Sequence, residues 1–316
     1  MINSMIFPCI AQVLYSSSFF MKRFLSLSPQ WILYLCLAGS ALGWGWGWVG
    51  IRAALHGYTP GQLALGRYTI ASLVLLPFWG WHGARLPSWY HLPLIAIMGI
   101  TGFSIYNYCV NRGEVTITAG TAALLGALLP ILIALGARYF FSEKLTHVGW
   151  LGVVIAFSGV VITAMGAHGS LHFSQGALLV VFAMVSASIY GLLMKKMLSH
   201  YSPLEITTWS IWIGTFALIP FGGGLNKALF HAPHLATLNM LLLGIFPGAL
   251  CYLLYAYTSS KTNMAQVASW MFLLPLLSIL LGWLLLGELP TLVTLIGGVI
   301  TLSGAYLVNV RGHIAG

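Results

Sequence analysis

Apolar residues run through this chain in long blocks, broken at intervals by Pro, Gly or a single charge, and not in the short alternations of a water-soluble fold. Roughly 20 predominantly apolar residues cross a bilayer core as a helix, with about 17 to 25 tolerated. Ten blocks meet that length: 31–53, 61–81, 92–111, 117–139, 147–166, 175–196, 204–223, 236–257, 263–286 and 291–310. The links between them are too short to hold a soluble domain, so function has to be built from the spans and their loops. The expected fold is an all-α integral membrane protein of ten transmembrane helices.

Charge adds orientation. If the N-terminus lies inside, Lys22, Arg23, Arg85, Arg138, Lys144, Lys195, Lys196, Lys261 and Arg311 fall on that side, against Arg52, Arg67, Arg112 and Lys227 on the other. Basic residues accumulate on the cytoplasmic side of membrane proteins, which predicts an inner (plasma) membrane protein with both termini in the cytoplasm. Residues 1–30 read as a dispensable upstream extension with Met21 as the natural start, and 311–316 as a short cytoplasmic tail.

Composition narrows the chemistry. Of 316 residues 59% are hydrophobic and 5% charged, too little polar surface to clothe a soluble globule. The four acids are Glu114, Glu143, Glu205 and Glu288, with no Asp, which argues against acid-rich metal sites and paired-carboxylate catalysis. The net charge of +9 is scattered and forms no basic tract, so the partner it implies is the lipid bilayer and not nucleic acid. Cys9, Cys36, Cys109 and Cys251 have no ligand spacing and read as inert thiols. The pair His168 and His172 lacks acid or Cys support, so no metal and no cofactor is expected.

The chain also resembles itself. "LLPILIALGARYFFSEKLTHVGWLGVVIAFSGVV" aligns without gaps on "LLPLLSILLGWLLLGELPTLVTLIGGVITLSGAY" at an offset of 145 positions, placing Pro130 on Pro275, Glu143 on Glu288 and Gly152 on Gly297. At an offset of 143, Tyr58 and Pro60 meet Tyr201 and Pro203, and Pro77 meets Pro220. The units are 31–166 and 175–310. Each holds five spans, an odd number, so the second copy enters the membrane inverted relative to the first.

Together, the paired halves, "LALGRYTIASLVLLP" after span one, "TITAGTAALLGALLPI" at span four, and the endings "SEKLTHVGWLGVVIAFSGVVI" and "GELPTLVTLIGGVITLSGAYLV" resemble the EamA family of the drug/metabolite transporter superfamily. The resemblance covers Trp31 to Val310 and implies a non-enzymatic exporter of amino acids, other metabolites or drugs.

Candidate residues follow from what hydrocarbon punishes. In "GWGWGW" (43–48), Gly39, Gly43 and Gly47 make one stripe, suited to close helix approach. Trp44 and Trp48 make a second stripe, walling a cavity or sitting in an interfacial belt. Tyr106, Asn107 and Asn111 in span three, Thr121 in span four, Tyr252 with Tyr255 in span eight, and Gln266 with Trp270 in span nine should face the protein interior. Each either lines a substrate site or bonds a neighbouring helix. Arg67, inside span two, snorkels to the headgroups or meets a substrate carboxylate. Pro130 and Pro275 sit at matching mid-helix positions and read as hinges or static kinks. Glu143 and Glu288 precede helices on opposite faces and complement helix dipoles; Arg52 and Lys195 are repeat equivalents that read as interfacial anchors.

These readings predict a secondary transporter for a small organic solute such as an amino acid, working by alternating access. With no acid at mid-span, facilitated or exchange transport is expected. An organic-phosphate or nucleotide-sugar antiporter would want two or more cavity cations, where only Arg67 and Lys261 are at hand. A channel would show unitary currents, and a lipid-modifying enzyme would need an intramembrane nucleophile and base that the spans do not supply.

Overall fold

The computed structural model describes residues 29–81, 85–141, 146–166, 174–261, 270–271 and 273–311. Every regular element among them is helical. The first half holds α1 (Pro29–Ala54), α2 (Pro60–Trp81), α3 (Leu92–Glu114), α4 (Ala119–Phe140) and α5 (His147–Gly166). The second holds α6 (Gln175–Met197), α7 (Pro203–Phe221), α8 (His234–Lys261), α9 (Leu273–Leu286) and α10 (Leu292–Arg311), with a short helix Leu225–His231 before α8. Eight of these are long and apolar enough to cross a membrane, and Leu273–Leu286 and Leu292–Val308, within α9 and α10, are shorter apolar stretches. α3 runs three residues past its expected end, to Glu114, a difference that matters below.

Helix starts repeat in the two halves. Thr59 and Gln62 exchange backbone and side-chain bonds at the head of α2, and Ser202 and Glu205 do the same at the head of α7. This is a reciprocal cap that satisfies two otherwise orphan donors. Thr146 caps α5 and Thr291 caps α10 through the N–H three residues on. The cap of α10 is therefore Thr291. Glu288, expected to serve the dipole of that helix, is instead engaged elsewhere.

Packing shows the inversion. α1 lies on α8 and α9 as α6 lies on α3 and α4, while α2 packs on α7 and α5 on α10. In the last pair Gly152 meets Gly304 and Gly159 meets Gly297. The helices are thus antiparallel, and the offset of 145 exchanges one contact for the other. Two copies related by a two-fold axis in the membrane plane give this pattern; two parallel copies would not.

α1 explains "GWGWGW". Gly39, Gly43 and Gly47 face Leu254, Cys251 and Pro247 of α8 in turn, and Gly45 faces Leu277 of α9. Two helices lean on α1, and each needs a side-chain-free strip there. Trp44 and Trp48 fill the angle between these contacts and point toward the middle of the molecule; Trp46 folds back over Gly50.

α3 and α8 each contain a stretch of π-helix, Ile100–Ile105 and Gly244–Leu250. These stand at corresponding places in the two halves. Such bulges leave backbone carbonyls out of register and concentrate at functional sites. A side chain from the first helix of the other half meets each: Trp44 Nε1 donates to Pro247 O at 3.1 Å, and Ser186 Oγ donates to Thr101 O at 2.7 Å. α4 is interrupted at Ala127, where Pro130 removes the donor that Gly126 O would otherwise accept.

Candidate functional site

A cavity of about 950 Å³, its open mouth included, lies between the halves. α1, α3 and α4 line it from one side and their repeat mates α6, α8 and α9 from the other, with Arg67 reaching in from α2. The wall is aromatic and aliphatic: Trp44, Trp48 and Tyr106 face Tyr190, Tyr252 and Tyr255, with Met184 and Met271 between. Trp44 packs edge-on to Tyr252 at 5.2 Å and against Tyr255 at 5.3 Å, geometry that aromatic quadrupoles favour. Pro130 and Pro275 both border the cavity.

Arg67 is the one charged group among the described lining residues. It is 4% exposed, so it does not snorkel. One guanidinium nitrogen donates to Asn107 Oδ1 at 3.2 Å, and the Cζ lies 5.2 Å from the centre of the Tyr68 ring. Asn107 is fixed in turn by donating to Phe103 O at 3.0 Å, inside the α3 bulge. Arg67 Nε and Tyr190 Oη are buried with no hydrogen-bond partner, which protein interiors rarely tolerate. Both belong to residues that line the cavity.

Of the residues singled out in the sequence, the structure brings Trp44, Trp48, Arg67, Tyr106 and Tyr252 into the lining of one cavity. Asn107 stands behind that lining as the holder of Arg67. Asn111 donates to Pro60 O at 3.0 Å, tying α3 to α2, and Thr121 bonds Thr118 at the head of α4; neither is among the described lining residues. Trp270 packs near Tyr34, ring centres 6.4 Å apart, outside the lining. Gln266, Glu143, His168 and His172 lie outside the described residues. Tyr190 and the two bulges escaped the sequence reading, because neither a lone Tyr nor a shift in backbone register leaves a spacing signal.

At the membrane face carrying the ends of α1 and α3, Arg52 Nε meets Glu288 Oε1 at 2.9 Å. Another nitrogen of Arg52 donates to Glu114 O and Val115 O, the terminal carbonyls of α3. Arg52 is thus no simple interfacial anchor: it ties the first half to the α9–α10 connection. Gly287, at a φ of 68°, closes α9 in a left-handed turn with Glu288 N bonded to Gly282 O. That turn aims Glu288 at α1, and it needs a residue without a Cβ.

Ten membrane helices in two inverted halves around a largely apolar, aromatic-rich cavity, whose described lining carries a single charge, make up a multi-pass membrane transporter. The sequence profile of the EamA-like transporter family matches residues 10–165 and 174–310, and the chain belongs to that family. It is 36% identical over 261 residues to the uncharacterized transporter YdfC of Bacillus subtilis, covering 83% of this chain and 85% of that one. It is 33% identical over 268 residues to a probable terminal-alkyne amino-acid exporter of Streptantibioticus cattleyicolor, covering 85% and 90%. A solved crystal structure shares the fold at a TM-score of 0.62 and 18% identity, over 87% of this chain and 95% of its own.

Proposed function

We propose that this transporter exports a small amino acid across a bacterial inner membrane, with both termini in the cytoplasm and the Arg52 face outside. The observation that carries the reading is Arg67 Nε: a buried cationic donor without a partner, in a residue that lines a cavity whose other described lining residues are uncharged. A substrate carboxylate supplies the missing acceptor, and a charge-assisted bond in a dry site is strong. The electron-rich faces of Trp44, Tyr252 and Tyr255 suit an ammonium group. The name of the Streptantibioticus relative supports the same class. A single cation among the described lining residues weighs against an organic-phosphate or nucleotide-sugar antiporter, which must neutralise more negative charge.

Transport proceeds by alternating access: the halves exchange conformations about the in-plane axis, so the cavity opens to each side in turn. Counterflow in proteoliposomes tests the reading. Labelled amino acid should accumulate with saturable kinetics and be displaced by other amino acids, while the matching decarboxylated amines displace it poorly. Equal displacement by the amines would remove Arg67 from the substrate site, and unitary currents in planar bilayers would replace the carrier with a channel.

A further inference from the structure

The end of α3 holds a carboxyl group that the cavity does not use. Glu114 is 0% exposed, and both of its carboxyl oxygens are buried without a hydrogen-bond partner. One turn earlier, on the same face of the helix, Asn111 Oδ1 is also buried and unpartnered. Glu288 Oε2 makes a fourth such acceptor nearby. The site is rich in acceptors and short of donors.

The charged groups facing Glu114 are Arg52 from α1, Glu288 from the α9–α10 connection and Arg67 from α2. Among the described residues the adjacent ends of α4 and α6 bring no titratable residue; on α3 itself Arg112 is exposed and Tyr106 is the other titratable group that interacts with Glu114. Arg52 directs its described bonds to Glu288 and to backbone carbonyls, none to the Glu114 side chain. An ionised carboxylate buried without a donor is costly. One proton removes the charge and turns an acceptor into a donor, and Asn111 Oδ1, an unpartnered acceptor one turn earlier on the same helix face, is the group placed to receive it.

We propose that Glu114, with Asn111, is a proton-binding site, and that the bound proton holds the Arg52 face closed. The step transfers one proton from water at that face to a carboxylate oxygen and changes no bond between heavier atoms. When the proton leaves, the carboxylate competes with Glu288 for Arg52 and loosens the tie between the halves. The expectation of uncoupled transport rested on the lack of an acid at mid-span; Glu114 is the last residue of α3, at the end of the span, and is fully buried there.

The test needs no substrate, so its outcome is separate from the amino-acid reading. Ile51 lines the cavity one residue before Arg52 and is 4% exposed. In a protein whose native cysteines are replaced by Ala, maleimide labelling of Ile51→Cys is followed from about pH 6 to pH 9 with and without Glu114→Gln. The ratio of the two rates cancels the thiol's own titration. It should climb several-fold with pH, because Glu114→Gln keeps the protonated shape and stays shut. Asn111→Leu, which removes the proton's acceptor, should move the rise to lower pH. Infrared spectra should show a protonated-carboxyl band that Glu114→Gln removes, a tractable assignment in a chain with four Glu and no Asp. A flat ratio, or a band unchanged by the substitution, overturns the proposal, as would closure that follows added sodium at constant pH.

Discussion

Ser72 Oγ lies 3.0 Å from Thr215 Oγ1, and the two residues stand 143 positions apart, the offset that superimposes the two halves of the sequence. Each bonds its own repeat mate, so the pseudo-two-fold axis passes between them. Exchanging the conformations of the halves maps this pair onto itself, and its separation is the same in either state. Replacing both by Cys in a background where Cys9, Cys36, Cys109 and Cys251 are Ala should permit oxidative cross-linking that leaves counterflow largely intact. Abolished transport after cross-linking would mean that α2 and α7 move against each other and that the axis lies elsewhere.

The glycines of α1 differ in what they tolerate. A methyl group on Gly47 would sit 3.5 Å from Pro247, an ordinary contact, whereas on Gly45 it would lie 2.8 Å from Leu277 Cβ, which cannot rotate away. Gly to Ala in a helix interior gains up to about 1 kcal/mol in propensity, and overpacking costs about 1–3 kcal/mol. Gly47→Ala should therefore leave thermal stability in detergent unchanged or slightly raised, and Gly45→Ala should lower it. The two variants behaving alike would contradict the placement of α9 against α1.

The glycine stripe, the repeat offset and the inverted halves are legible because each is a matter of spacing, and lipid leaves a helix few other ways to bury backbone. What the spacing could not carry was direction and distance. Arg67 sits within α2 whether it snorkels or turns inward, and only the packing of α2 against α8 decides that it faces the cavity. Arg52 and Glu288 are 236 positions apart, so their pairing depends on how the whole chain closes. Glu114 lay beyond the expected end of its span, and the extra turn of α3 is what buries it. The π-bulges have no residue signature beyond Pro247, since they arise from one residue too many between fixed contacts.

Arg67 should separate substrates by their carboxylate. A hydrogen bond to a charged group is worth about 1.5–3 kcal/mol, so Arg67→Gln should raise the half-saturating amino-acid concentration by roughly 10-fold to 100-fold. The decarboxylated amine, a poor ligand already, should change little. Arg67→Lys should recover part of the affinity, because it keeps the charge and loses the planar fork that also holds Asn107. Competition curves against labelled amino acid give these numbers directly. An equal loss for acid and amine would assign Arg67 a role in packing.

Trp44 and Trp270 were equivalent candidates in the sequence, and the structure separates them. Trp44 forms the cavity wall and donates to Pro247 O in the α8 bulge, while Trp270 lies outside the lining beside Tyr34. Trp44→Ala should weaken apparent affinity markedly, and Trp44→Phe should keep much of the affinity while slowing turnover, since it retains a ring and drops the bond to the bulge. Trp270→Ala should leave the half-saturating concentration near that of the unaltered protein. A larger effect from Trp270→Ala than from Trp44→Ala would relocate the site toward the start of α9.

The tie between Arg52 and Glu288 predicts an opposite pair of phenotypes. Glu143 and Lys195 occupy the matching sequence positions in the other halves, so under the proposed alternating access a conformational exchange is expected to trade the Arg52 pairing for one between them on the opposite face. The side chains of Arg52 and Glu288 are 25% and 23% exposed, which places the pair near the screened limit of about 1 kcal/mol. That energy shifts a two-state balance by up to about fivefold. Glu288→Gln should therefore raise the labelling rate of Ile51→Cys from the Arg52 face by a few-fold, and Glu143→Gln should lower it. The double variant should return close to the starting rate, because both latches are weakened equally. Two singles that shift accessibility in the same direction would show that the pairings do not alternate, and the symmetry of the halves would then govern only how the chain packs.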